Sequence, residues 1–148
     1  MYQMGLFKRV FALVLALGLA VPLFAGEIKP SKAPEGVKLY IIEPVDGATV
    51  KGTFKVKFGL SGMGVAPAGV DKENTGHHHL LINIGELPDL TKPLPATDQI
   101  KHFGGGQTET EITLPPGKHT LQLLLGNFLH IPHDKPVLSE KITITVEK

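Results

Sequence analysis

Six of the seven histidines of this chain lie in three groups whose residue type suits a transition-metal site. They are the run His77, His78 and His79, the single His102, and the pair His130 and His133. Imidazole rings bind zinc, copper(II), nickel and iron. The chain has no cysteine and only three methionines, which argues against a copper(I) site built from thiolates or thioethers. We therefore expect a bound copper(II) or zinc ion.

Side-chain alternation decides which histidines of the run can share an ion. In a β-strand successive side chains point to opposite faces, so His77 and His79 share one face while His78 points with Leu80 and Ile82 toward the core. A bulge at the strand entrance would exchange the faces and leave His78 at the site. The predicted metal ligands are His77, His79, His130, His133 and His102.

The elements that carry these residues read as strands. Residues 53–58 alternate strictly, with Phe54, Val56 and Phe58 facing inward. Further strands are predicted at 37–42, out of the histidine run through Ile82, and at 108–114, 119–125 and 141–146. The Pro-rich stretch 86–106 holds a short strand near Glu86 to Leu90 and is otherwise a long loop. Short strands between Gly/Pro turns predict an all-β fold, an antiparallel immunoglobulin-like β-sandwich, with a small barrel as the alternative.

Alternating strand directions would bring the histidine-bearing loops to one end of this sandwich. The loops are 61–76, which leads to the histidine run at a strand entrance, 101–107 and 126–136. Pro132 and Pro136 stiffen the last loop, which lowers the entropy lost when ligands are fixed. His119 starts a strand at the opposite end, and we expect it to be a hydrogen-bonded core histidine.

The beginning of the chain has the layout of a secretory signal peptide. Lys8 and Arg9 precede an apolar stretch from Val10 to Leu19, and small residues follow at Ala25-Gly26. We predict a signal peptide at 1–25, a flexible segment at 26–36 and a single domain at 37–148. The mature protein would be periplasmic or secreted and would have no membrane span.

Several function classes do not suit this composition. A net charge of +1 without a basic run gives no electrostatic footprint for nucleic acid. The chain has neither a cysteine nucleophile nor a GxSxG elbow. Residues 104–106 are three glycines without the lysine of a phosphate loop, which indicates a sharp turn or a close backbone approach.

Three stretches, residues 43–83, 102–127 and 130–146, resemble the domain-of-unknown-function 4399 family of small secreted bacterial proteins. The blocks GHHHLLIN, HFGGGQTE, LPPGKHTLQLLLGN and HIPH occur in the order typical of that family. The resemblance implies a Gram-negative-type exported protein and supplies no activity. The opening EPVDGATV is also similar to that of bacterial immunoglobulin-like domains, a weaker likeness at the level of the fold.

These observations predict an exported protein that binds copper(II) or zinc through loop histidines, for carriage or buffering rather than catalysis. One alternative is a structural or protein-interaction module of the cell envelope, with an envelope protein as its partner, in which the histidines only order loops. The other is a small metalloenzyme with an open coordination position, for which Asp134 or Glu73 would act as the general base.

Overall fold

A computed structural model describes residues 30–148, so the predicted signal peptide lies outside the described residues. This part of the chain forms nine strands and no α-helix, and hence no helix that could cross a bilayer. The strands are β1 (Lys38–Glu43), β2 (Thr49–Lys51), β3 (Thr53–Ser61), β4 (Gly64–Val65), β5 (Thr75–Ile82), β6 (Ile100–His102), β7 (Glu109–Thr113), β8 (Gly117–Gly126) and β9 (Ile142–Glu147).

The strands form two sheets. One has three strands in the order β1-β3-β7, and the other has the order β2-β9-β8-β5-β4 with β6 also paired to β5. Most pairs are antiparallel, whereas β2 with β9 and β4 with β5 are parallel. The all-β prediction is confirmed. The immunoglobulin-like topology stays a prediction.

The main core lies between the two sheets and is built by alternation. Phe54, Val56 and Phe58 of β3 point inward, as the sequence predicts. Facing residues come from the larger sheet, including Leu123 of β8 and Ile144 of β9, both fully buried. Burial of each such side chain stabilises the fold by roughly 1.5–3 kcal/mol. Leu80 and Ile82 of β5 belong to this core, so their face of β5 turns inward.

A second, smaller core covers the outer face of the larger sheet. It contains Leu81, Leu94, Ile100 and Leu124. The Pro-rich stretch therefore packs onto the sheet through Leu94 and Ile100. The prediction of a strand near Glu86 to Leu90 is wrong, because the strand in this stretch is β6. Prolines lack the N–H that a strand ladder requires, and they interrupt the stretch before β6.

The histidine run lies inside β5, not at its entrance as we predict from sequence. The strand begins at Thr75 because Gly64 and Val65 of β4 pair with Thr75 and Gly76. All three histidine side chains are completely buried. The predicted parity is correct and no bulge interrupts the run, since His77, His78 and His79 pair in unbroken register with β8.

His119 lies away from the other histidines, at the start of β8. Its Nε2 lies 2.7 Å from the carbonyl oxygen of Pro115, and its Nδ1 lies 2.9 Å from Nδ2 of Asn83. The amide of Asn83 donates to Nδ1, so Nε2 carries the proton and donates to the carbonyl. This is the hydrogen-bonded core histidine that the sequence predicts.

Candidate metal centre

Four of the five predicted ligands come together on the outer face of the larger sheet. They are His77, His79, His102 and His130, and each offers one ring nitrogen within 4.8 Å of the others. The site therefore lies on the outer face of the larger sheet, at the end where β6 and β8 finish and the loop after β8 begins.

Local strand geometry supplies three of the four rings. His77 and His79 are two residues apart on β5 and point to the same face, with ring centroids 4.8 Å apart. His102 of β6 is the direct cross-strand partner of His79. Because opposite residues of an antiparallel pair share a face, the His102 ring lies 5.1 Å from that of His79.

His130 comes from the loop after β8 and has a left-handed backbone, with φ 65°. Its N–H donates to the carbonyl of Asn127 at 2.8 Å, and its own carbonyl accepts from the N–H of Leu94 at 2.9 Å. These two bonds hold the backbone from both sides. The ring therefore lies over β5, with its centroid 5.0 Å from that of His77.

Two distances between ring nitrogens, both from His77, match those between neighbouring ligands of one ion. Nε2 of His77 lies 3.0 Å from Nδ1 of His130 and 3.2 Å from Nε2 of His102. With metal–nitrogen bonds of about 2.0–2.1 Å, neighbouring nitrogens lie about 2.9 Å apart in a square plane and about 3.3 Å apart in a tetrahedron. Both observed distances fall in that interval.

Hydrogen bonding alone does not account for these contacts. A ring nitrogen has either one proton or one lone pair, so Nε2 of His77 cannot form two full hydrogen bonds with His102 and His130 together. In addition, Nδ1 of His77 and both nitrogens of His79 are buried without a hydrogen-bond partner among residues 30–148. Each such atom costs about 1–3 kcal/mol. An imidazole binds a metal through one nitrogen, so an ion at the cluster would give a partner to Nε2 of His77 and to one nitrogen of His79.

The surroundings lower the pKa of three of these rings, which favours their neutral form. Burial, and then the neighbouring His102 and His130, lower the pKa of His77 to about 4. Burial and the same cluster lower the pKa of His79 to about 3. The pKa of His102 is lowered by burial and by His130. No carboxylate of the described chain contributes to these shifts. Metal binding near neutral pH therefore displaces few protons.

Two glycines leave room for the rings. A Cβ atom at Gly126 would lie 2.7 Å from Cε1 of His79 and 3.3 Å from Cα of His130. A Cβ atom at Gly104 would lie 2.8 Å from Nε2 of His102. The close backbone approach that the sequence predicts for the glycine run is thus found at Gly104, whereas the role of Gly126 was not foreseen.

His133, the fifth predicted ligand, lies outside the group of four. It is buried, its Nε2 lies 3.3 Å from the carbonyl oxygen of Thr75, and burial lowers its pKa. Asp134, a candidate general base, accepts the N–H groups of Ala33 and Lys135, which lower the pKa of its carboxyl. Glu73, the other candidate base, also lies outside the group.

His78 lies on the opposite face of β5. Its ring packs against Phe58 with centroids 5.0 Å apart, and burial lowers its pKa to about 4. Neither ring nitrogen has a hydrogen-bond partner within the described chain. Because its ring lies on the core side of β5, against Phe58, His78 is part of the apolar core and not of the site.

Comparison with known proteins gives the family. The model of the family described as "Domain of unknown function (DUF4399)" matches residues 56–147, which is more than half of the chain. The chain belongs to this family. All four histidines of the group lie within the matched region. The search of curated proteins finds no match.

One solved structure shows a partial likeness. It is the endo-beta-1,4-mannanase from Thermotoga petrophila, with 18% sequence identity and a TM-score of 0.46. The match covers 76% of this chain and 20% of that chain.

Proposed function

We propose that this DUF4399 protein is an exported metal-binding protein that holds copper(II) or zinc through His77, His79, His102 and His130, for carriage or buffering. The observation that carries the proposal is His79. Its ring is completely buried, neither nitrogen has a partner within hydrogen-bonding geometry in the described chain, and one of the two nitrogens belongs to a group of four that could hold a single ion.

The number of ligands favours binding over catalysis. Catalytic zinc sites usually keep one position open for water or substrate, whereas structural sites are filled by four protein ligands. Four imidazoles fill a tetrahedral or square-planar ion.

The donor atoms favour copper(II) or zinc. All four are neutral nitrogen ligands, which suit both ions, and a given site of this type binds copper(II) more tightly than zinc. The hard cations calcium and magnesium take oxygen ligands, and the group contains no carboxylate. Copper(II) is therefore expected to bind more tightly than zinc in vitro, while metal availability would decide which ion is bound in the cell.

The distribution of exposure supports exchange of the ion. His77 and His79 are buried in β5, His130 is half-buried and His102 is exposed. An incoming or leaving ion would therefore pass His102, whose displacement does not require the sheet to open. Together with the predicted signal peptide, this arrangement suits a carrier or buffer outside the cytoplasm.

The test is metal titration of the protein expressed with its native N-terminus and purified without a polyhistidine tag. We expect one copper(II) or zinc ion per chain, with submicromolar affinity. The His77→Ala/His79→Ala double variant should lose this binding, whereas His78→Leu, a change on the other face of the same strand, should retain it. Absence of stoichiometric binding, or equal binding by the double variant, would refute the proposal.

Export is tested separately by sequencing the N-terminus of the protein recovered from cell fractions. A mature chain beginning near Gly26 in the periplasm or medium is expected. An intact N-terminus retained in the cytoplasm would contradict the exported location while leaving the metal site to be judged by titration.

A further inference from the structure

The loop that carries His130 is organised around one buried amide. Asn127 is 2% exposed, although asparagine is a polar residue that usually lies at the surface. Its Oδ1 accepts two backbone hydrogen bonds, from the N–H of Leu129 at 2.9 Å and from the N–H of Ile131 at 3.0 Å. These donors flank His130 on both sides in sequence.

The backbone of Asn127 completes the same turn. Its carbonyl accepts from the N–H of His130 at 2.8 Å, and its N–H donates to the carbonyl of Ile131 at 2.9 Å. One residue thus makes four hydrogen bonds to residues 129–131. His130 has a positive φ, which is uncommon for a residue other than glycine. The four hydrogen bonds therefore offset the conformational free energy that this left-handed backbone costs.

The other end of the amide is also held. Nδ2 of Asn127 lies 3.0 Å from Oγ of Ser31, to which it donates. Because Oδ1 receives two N–H donors and Nδ2 faces a hydroxyl, only one orientation of the amide satisfies all partners. The oxygen is therefore directed at the turn.

From this geometry we infer that Asn127 is the positioning residue for the ligand His130: its side-chain oxygen holds the turn that places the His130 ring beside His77. This inference rests on the proposed metal site. Residues that orient a ligand typically change metal affinity by roughly 10- to 100-fold when removed. These hydrogen bonds to Oδ1 of Asn127 form without a metal ion. The His130 ring is therefore in position before an ion binds.

The experiment uses copper(II) alone as the probe and pulsed EPR to count coordinated imidazoles. The wild type should show four. Asn127→Ala should show three and bind roughly 10- to 100-fold more weakly. Asn127→Asp retains the accepting oxygen and should restore the wild-type spectrum. Ser31→Ala, which removes only the partner of Nδ2, should leave the imidazole count unchanged. A wild-type spectrum and affinity in folded Asn127→Ala would overturn the inference.

A measurement on the unmodified protein covers the case in which Asn127→Ala does not fold. The amides of Leu129 and Ile131 donate to Oδ1, so they should be protected from hydrogen exchange in the apo protein. Protection that arises only after copper(II) is added would overturn the inference, because the metal would then order the turn. Failure of the wild type to bind any metal would refute the proposed function and is distinguishable from both results.

Discussion

Nε2 of His77, on a buried strand, lies 3.0 Å from Nδ1 of His130, on a loop 53 residues further along the chain. His77 is fixed by the β5 ladder, and His130 is fixed by a turn that bonds to Asn127 and Leu94. Two independently held imidazoles thus meet nitrogen to nitrogen. This contact defines the site because it joins the sheet face to the loop that covers it.

The distinction between His130 and His133 is open to a direct test. We expect His130→Ala to remove one imidazole from the EPR spectrum and to weaken copper(II) binding at least as much as the loss of a residue that orients a ligand, which is roughly 10- to 100-fold. His133→Ala should keep all four imidazoles, since that ring faces Thr75. Calorimetric titration of the two single variants side by side measures this. Equal losses in both would mean that His133 is also a ligand.

Gly104 should be sensitive to a single added methyl group. In Gly104→Ala the new Cβ would meet Nε2 of His102 at 2.8 Å and force that ring to move. His102 is exposed, so the ring can swing away and the free energy of unfolding should change by less than about 1 kcal/mol. Metal affinity should nevertheless fall, by roughly 10-fold.

The matched control for Gly104 is Gly85→Ala, because a Cβ atom at Gly85 has no neighbour within 4 Å. Both variants add the same methyl group, but only one touches a ligand. Equal metal affinity of the two variants, measured by competition with a chelator, would argue against His102 as a ligand.

The apo protein should lose stability in mild acid. Burial lowers the pKa of His77, His78 and His79 from 6.5 to about 4, about 4 and about 3 in the folded state. Between pH 6.5 and these values the unfolded chain binds protons that the folded chain does not. The free energy of unfolding is therefore largest above pH 6.5 and decreases as the pH falls toward 4.

Urea denaturation of the apo protein at a series of pH values measures this loss. His78→Leu removes one of the three groups and should make the pH dependence shallower, while also removing two buried nitrogens that have no partner in the described chain. An unfolding free energy that is constant from neutral pH to about pH 5 would show that the three rings are not held neutral.

His119 should contribute to stability and not to metal binding. His119→Ala removes the hydrogen bonds with Pro115 and Asn83 and should lower the free energy of unfolding by about 1–3 kcal/mol. The copper(II) affinity should be unchanged, because the ring lies outside the group of four. Thermal unfolding and titration of the same preparation check both expectations. A fully stable variant would contradict the core assignment.

The sequence by itself determined the features that depend only on residues close together in the chain, namely strand β3 and the faces to which successive side chains point. Alternation in 53–58 predicts β3 and its inward side chains, and the same rule separates His78 from His77 and His79, because the two-residue period of a strand is local. Residue types predict an imidazole site. The short strands β2 and β4 were missed, since three and two residues give no readable period.

Only the tertiary structure decided which histidines meet. His102 joins the site because β6 pairs with β5 in the register that sets it opposite His79, and no pattern near residue 102 encodes that register. His130 joins because Asn127 and Leu94 hold its backbone, whereas His133, three residues later, faces Thr75. Long-range pairing and loop hydrogen bonds select among side chains that the sequence makes chemically equivalent, because they depend on contacts between residues far apart in the chain.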